Sequence, residues 1–341
     1  VSVAIVIPCY RVTEHIEAVV LDATRFADAV YIVDDCCPDG TAALLRERSL
    51  PASARLLCNK VNLGVGGATM AGYRAALADG HDVVVKLDGD GQMDPSLIPY
   101  LIEPIVSGNA DYTKGNRFFN VQDVQAMPFH RLIGNAGLSF LTKLASGYWT
   151  IFDPTNGFTA IHARVLERLS LDRISQRYFF ESDMLFRLGT MRAHVVDVPM
   201  PAQYGDEVSN LRVRSTVLPF LWWNLRNFGK RLFYNYFLRD FSVASVQLLL
   251  IALLLPLGIG FGLFFWWRSY ESGVAATSGE VMLAALPLIV AVQLILSFLA
   301  YDVESAPRRA LHRTLQPLSS KLLESNRPTA ARNASRARKS A

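Results

Sequence analysis

Two stretches near the C-terminus, Phe241 to Trp267 and Val281 to Tyr301, contain no Asp, Glu, Lys or Arg. In hydrocarbon, a segment like this must satisfy its backbone N–H and C=O groups internally, which makes it a helix. At ~1.5 Å rise per residue, each is long enough to cross a core of ~30 Å. Trp266, Trp267, Tyr270 and Tyr301 lie at the ends, where aromatic rings meet lipid headgroups. Pro256, Gly258, Gly260 and Gly262 would weaken a soluble helix but are tolerated in a membrane. Two buried core helices are the competing reading, and core helices are rarely so long or so free of charge. Arg226, Lys230, Arg231 and Arg239 precede the first stretch, and Arg308, Arg309, Arg313 and Lys321 follow the second. The connection between them sets Arg268 against Glu271 and Glu280. This asymmetry predicts a hairpin in the cytoplasmic (inner) membrane, with the N-terminal region and the tail both cytoplasmic. No leader is expected ahead of the first strand.

The remainder reads as α/β. Val3 to Ile7 is a short apolar strand stopped by Pro8, Glu14 to Phe26 has helical periodicity, and Val30 to Val33 is a strand ending at Asp34-Asp35. Thr41 to Arg48 reads as helix, Ala54 to Leu57 as strand, Gly66 to Asp79 as an Ala-rich helix and Val83 to Leu87 as a buried strand. Such alternation predicts a doubly wound, mostly parallel sheet. Further on, Leu97 to Ser107 and Arg131 to Gly147 read as helices, and Val165 to Leu169 and Ser182 to Gly189 as shorter ones. Asp111 to Lys114 and His194 to Val198 read as strands. Thr216 to Asp240 interleaves Trp222, Trp223, Phe228, Phe233 and Tyr234 with basic residues, as interfacial amphipathic helices do. The expected organisation is a cytoplasmic α/β domain over 1–214, interfacial helices over 215–240 and a two-span hairpin over 241–301. A basic, disordered cytoplasmic tail is expected over 302–341; it either touches anionic lipid or only solubilises.

Composition narrows the partners. Of 341 residues, 51% are hydrophobic and only 19% charged, and a net charge of +4 gives no reason to expect nucleic acid. Cys9, Cys36, Cys37 and Cys58 form no C-x-x-C pair and have no His cluster beside them, so reduced thiols are expected rather than zinc.

The chemistry concentrates where Val83-Val84-Val85-Lys86-Leu87 runs into Asp88-Gly89-Asp90-Gly91-Gln92. Two carboxylates at a strand end repel each other unless a cation lies between them, and a divalent ion shared with substrate phosphates does this. Open α/β sheets place ligands at this edge. An ordinary Asp/Gly turn is the bland alternative.

Four segments in order carry a resemblance. They are Ile5-Val6-Ile7-Pro8-Cys9-Tyr10, Ile32-Val33-Asp34-Asp35 with its following turn, Asn62-Leu63-Gly64-Val65-Gly66-Gly67 and Asp88-Gly89-Asp90-Gly91-Gln92. Together they resemble the nucleotide-sugar half of glycosyltransferase family 2, in its polyprenyl-phosphate, dolichol-phosphate mannose synthase-like branch, over roughly Val3 to Arg214. The resemblance implies a GT-A fold with interfacial and transmembrane helices after it. It implies that Pro8, Tyr10, Asp34 and Asp35 meet the base and ribose of a UDP- or GDP-sugar, with Asn62 and Gly64 over the nucleotide. It implies that Asp88 and Asp90 are the D-x-D pair, with Asp90 the stronger ligand of Mg2+ or Mn2+, and that Gln92 follows as in the prenyl-phosphate branch. Cys36-Cys37 stands where the pattern usually has Ser.

In the second half, Gly115-Asn116-Arg117-Phe118 and Arg131-Leu132-Ile133-Gly134-Asn135 resemble the elements whose arginines bind an acceptor phosphate. Asp153-Pro154-Thr155-Asn156-Gly157-Phe158 resembles the lining of the sugar pocket. Glu181-Ser182-Asp183 falls at the late acidic motif, where Asp183 matches best. Ser209, Arg212 and Arg214 fall in the loop that closes over the diphosphate. The processive Q-x-x-R-W motif is absent, which favours single-sugar transfer. The resemblance implies inverting transfer to a polyprenyl phosphate at the membrane, by a homo-oligomer. Transfer to a glycan hydroxyl, with Asp183 as base, and a catalytically silent nucleotide-binding membrane subunit are the alternatives.

Overall fold

The computed structural model describes residues 1–48, 50–119, 129–201 and 213–316. Its centre is a seven-stranded sheet in the order β3-β2-β1-β4-β6-β5-β7. The strands are β1 (Val3–Cys9), β2 (Ala29–Asp34), β3 (Ala54–Cys58), β4 (Val83–Lys86), β5 (Tyr112–Asn116), β6 (Thr159–His162) and β7 (Val195–Pro199). β1, β2, β3 and β4 are mutually parallel, as are β5 and β7, while β6 runs antiparallel between β4 and β5. The sheet is thus mostly parallel, as expected. The strand β6 is not foreseen in the sequence, because Thr159-Ala160-Ile161-His162 is too short to show a period.

Both faces of the sheet are covered. On one face, Val3, Ile5, Ile7 and Cys9 join α1 (Ile16–Ala23), Leu45 of α2 (Thr41–Glu47) and α4 (Ile98–Val106). On the other, Ala4, Val6, Tyr31 and Val84 pack under α3 (Gly64–Ala78) and α7 (Phe180–Met191). Burial on two sides explains why these strands read as unbroken apolar runs. Gly72 lets α3 lie against Val6, since a side chain there would collide with the valine. α5 (Phe129–Ser146) and the short α6 (Ala163–Leu166) complete the domain.

The expected interfacial segment is one long helix, α8 (Val213–Phe233), ending in a π-helical turn over Tyr234–Arg239. Its inner stripe is polar. Asn224, Asn227 and Arg231 are buried, whereas Trp222, Trp223, Leu225 and Phe233 are exposed. Two antiparallel-connected apolar helices follow, α9 (Val243–Ser272) and α10 (Ser278–Glu304), with mean hydropathies of 2.6 and 2.5. Only 6% and 11% of their apolar windows is buried. Both are long and apolar enough to cross a membrane. Thr277 and Glu280 form a reciprocal capping box at the start of α10.

One carboxylate joins these parts. Asp302 near the end of α10 receives both terminal nitrogens of Arg231, at 2.7 and 2.9 Å, the indole N–H of Trp149 at 2.8 Å and the Tyr236 hydroxyl. The expectation of disorder from 302 onward is corrected over 302–316, where 302–304 complete α10 and 305–316 lie on the α/β domain; 317–341 lie outside the described residues. Buried Asp111 accepts the backbone N–H groups of Leu311 and His312 and pairs with His312 Nδ1, each within 2.8 Å. The His312 ring stacks on His162 at 4.1 Å, and Arg164 donates to the His312 and Leu315 carbonyls. The sequence hid this because the partners lie some 200 residues apart along the chain.

Candidate active site

The C-terminal ends of β1, β2 and β4 meet at one edge, at the point where the strand order reverses away from β1. Ligands bind open α/β sheets at such a switch point. Pro8 and exposed Tyr10 close β1, and Arg11 and Cys36 beside them adopt left-handed backbone, with φ of 59° and 54°. Non-glycine residues in this region are uncommon and concentrate at functional edges.

The adjacent aspartates divide their work. Asp35 accepts Asn59 Nδ2 at 2.8 Å and the backbone N–H groups of Leu63 and Gly64 at 2.9 and 2.7 Å. It is therefore engaged in holding the 59–64 loop, where half-buried Asn62 lies, which leaves Asp34 the less engaged of the two carboxylates. Asp34 is only 6% exposed, and its Oδ1 has no hydrogen-bond partner among the described residues. Burial pushes its carboxyl up, a backbone N–H from Cys37 opposes this, and the Asp35 charge adds to it. An acceptor held so, at a sheet edge, suits a ligand N–H or hydroxyl. Gly64 has φ of 84° and sits against the Gln176 carbonyl, so no other residue fits there without strain.

β4 delivers the D-x-D pair. Asp88 Oδ1 is 2.7 Å from Lys86 Nζ, and Asp90 Oδ1 accepts the Gln92 N–H at 3.0 Å, which tightens the turn. A side chain at Gly157 would run into Asp88 and Lys86, so the glycine keeps this corner open. Among the described residues, no three His, Cys, Asp or Glu side chains form a metal cage. Two partly exposed aspartates at the sheet edge suit a hard cation coordinated jointly by protein and diphosphate oxygens.

Across the sheet, Arg117 at the end of β5 makes a two-pronged pair with fully buried Asp153, Nε–Oδ2 2.8 Å and Nη2–Oδ1 3.3 Å. Two residues foreseen separately, one for acceptor and one for sugar, are thus a single unit. Asn156 reaches the Gly115 carbonyl at 2.8 Å and accepts from Phe158 N–H at 3.0 Å, which ties the loop to β5.

The two carboxylates of the late acidic motif have different surroundings. Asp183 accepts Ser175 N–H at 2.9 Å, Arg187 Nε at 3.0 Å and Asn227 Nδ2 of α8 at 3.2 Å. Both its oxygens are committed, whereas Glu181 points to Lys86, 3.8 Å away. Helical spacing explains the difference, since residues two apart lie on opposite sides of a helix. Burial pushes the Glu181 carboxyl up, against Lys86 and Lys114. Sequence reasoning missed both lysines. Their signal was a charge inside a β-run, Val83-Val84-Val85-Lys86 and Tyr112-Thr113-Lys114. Burial pulls Lys114 down to about 8, opposed by Glu181 and Asp153. Ser209 and Arg212 lie outside the described residues, as do the side chains of Arg131 and Arg214.

Comparison with known proteins agrees. Residues 4–170 match the model of the family described as glycosyl transferase family 2. A UDP-N-acetylglucosamine–dolichyl-phosphate N-acetylglucosaminyltransferase of Methanococcus voltae is 30% identical over 230 residues, covering 63% of this chain and 91% of its own. An undecaprenyl-phosphate mannosyltransferase of Micrococcus luteus is 33% identical over 202 residues, covering 57% and 81%. In fold, the chain is similar to glucosyl-3-phosphoglycerate synthase from Mycobacterium tuberculosis, solved with Mn2+, UDP and phosphoglyceric acid. That likeness has a TM-score of 0.50 and 16% identity over 67% of this chain and 78% of that one, and it bears on fold alone. Sheet, site edge and relatives converge: the chain belongs to glycosyl transferase family 2, and it is a sugar-transferring enzyme built on a GT-A fold.

Proposed function

We propose that the protein transfers one sugar, with inversion, from a UDP- or GDP-sugar to a polyprenyl phosphate at the cytoplasmic face of the inner membrane. The observation that carries this reading is α8. It turns a polar stripe inward, where Asn227 grips the helix of the acidic motif, and an aromatic face outward. A catalytic edge mounted so rides at the headgroup level, where a soluble donor meets an insoluble acceptor. The relatives named for dolichyl and undecaprenyl phosphates support the acceptor class.

In this reading Asp34 receives the donor's base or ribose, Asp90 would hold Mg2+ or Mn2+, and Asp88 faces the donor sugar. The bound cation supplies neutralisation of charge on the departing diphosphate. Arg117, oriented by Asp153, holds the acceptor phosphate with paired N–H donors, as does Arg131 from α5. The phosphate oxygen attacks the anomeric carbon opposite the leaving nucleotide, and the configuration inverts. A phosphate is already an anion near neutral pH, so no side chain need remove a proton. That agrees with an Asp183 whose oxygens are both engaged. A glycan hydroxyl would need a base. Helices α9 and α10 anchor the enzyme, and a homo-oligomer is its expected assembly.

The test is transfer from labelled UDP- and GDP-sugars to undecaprenyl phosphate in detergent, with Mg2+ or Mn2+ and with Asp90→Asn as control. A metal-dependent, mild-acid-labile lipid product, absent in the variant, is expected. Donor binding or donor hydrolysis without lipid product would move the acceptor to a glycan hydroxyl.

A further inference from the structure

Two lysines lie fully buried beneath the site edge. Lys86 ends β4 and Lys114 lies within β5, and both pair in register with Thr159 of β6. Residues opposite one another across strands share a face of the sheet, so the two ammonium groups lie on the side covered by α7. Glu181 descends from that helix. Lys86 Nζ is 2.7 Å from Asp88, 3.8 Å from Glu181 and 3.3 Å from the Gly157 carbonyl. Lys114 donates to the Asn156 carbonyl, and Glu181 and Asp153 are its counter-charges. Asp153 in turn holds Arg117. Charges therefore alternate from the donor corner to the acceptor corner: Asp88, Lys86, Glu181, Lys114, Asp153, Arg117. For the fold alone, an apolar row of the same volume would serve as well, because desolvating ions costs as much as their pairing returns.

We propose that Lys86, Glu181 and Lys114 are positioning residues of the transfer reaction. Lys86, backed by Glu181, turns Asp88 toward the hydroxyls of the donor sugar. Lys114 sets Asp153, and through it Arg117, at the acceptor side of the same floor. This rests on the reading of the protein as a nucleotide-sugar transferase acting on a lipid phosphate. With one oxygen on Lys86, Asp88 presents the other to a sugar hydroxyl, and Gly157 leaves the approach clear.

The experiment is calorimetric titration of the full-length protein in detergent with UDP, GDP, UDP-glucose, UDP-N-acetylglucosamine and GDP-mannose, paired with steady-state kinetics on undecaprenyl phosphate. The wild type is expected to bind one sugar nucleotide more tightly than its parent nucleotide. Lys86→Met keeps the volume and removes the charge. It is expected to leave nucleoside diphosphate binding unchanged and to cut the sugar's added affinity about tenfold, the scale of one charge-assisted hydrogen bond. Glu181→Gln, an isostere, shifts it in the same direction and keeps the test alive if Lys86→Met does not fold. Lys114→Met keeps the donor preference and raises KM for the lipid phosphate more than it lowers kcat. Variants that change only the melting temperature, or that keep the wild-type sugar preference, overturn the proposal, as does a wild type with no such preference. A wild type that shows the preference but transfers to a glycan hydroxyl refutes the acceptor reading and the Lys114 arm, while the Lys86 arm is still read by binding.

Discussion

In the proposed reading, Asp34 serves the site at the expense of the fold. Its carboxyl is buried, and one oxygen has no hydrogen-bond partner among the described residues. A carboxyl whose folded pKa lies above its unfolded value contributes stability at pH below the unfolded value and loses it as pH rises through the folded one. Asp34→Asn is therefore expected to raise the melting temperature at pH 7, with no gain near pH 3, and to weaken nucleotide binding; thermal melts and titration at the two pH values check both. Asp90 and Asp183 should separate cleanly. Asp90→Asn is expected to reduce transfer by about 100-fold, the scale of losing an electrostatic stabiliser of the leaving group. Asp183→Asn is expected to lower thermal stability more than it changes the pH–rate profile, because Asp183 holds α7 to α8. A profile that loses its acidic limb in Asp183→Asn would restore Asp183 as a base.

At the scale of elements, the Arg231–Asp302 pair decides how the apolar hairpin meets the catalytic domain. It is buried and its hydrogen bonds are supplemented by Trp149 and Tyr236. Removing one partner leaves a buried charge alone, so Asp302→Ala should cost about 3–5 kcal/mol, while Arg231→Met with Asp302→Leu should cost less. Denaturation in detergent distinguishes the two. The contact of 305–316 with the sheet has a pH dependence of its own. Burial, with His312 and Arg164 nearby, pulls His162 down to about 4, against Asp111 and Asp82. A histidine held neutral in the fold makes stability fall as pH drops from about 6.5 toward 4, since only the unfolded chain takes up the proton. Hydrogen exchange over 305–316 should accelerate in that window, and His162→Gln should remove the acceleration.

For the whole molecule, the exposed aromatic residues of α8 and the exposed apolar surface of α9 and α10 are what an interfacial placement would bury in lipid. Trp222→Ser with Trp223→Ser should leave sugar-nucleotide binding intact and lower turnover on long-chain polyprenyl phosphate more than on a short, soluble analogue. Equal losses on both acceptors would count against an interfacial role for α8.

Much of this was legible in the sequence because it depends on local pattern. Apolar runs bounded by Pro, Gly and Asp mark the parallel strands. Two uncharged stretches mark α9 and α10, and Asp88-Gly89-Asp90 marks the site edge. These patterns follow from backbone hydrogen bonding and burial, which act within a few residues. What the sequence left open was settled by contacts between distant segments. Asp34 and Asp35 look equivalent until Leu63 and Gly64 claim one of them. Glu181 and Asp183 differ only in which side of α7 they occupy. Lys86 and Lys114 become one network only because β6 inserts antiparallel between their strands. A carboxylate's role depends on which donors reach it and how much water is left, and only the tertiary structure decides both.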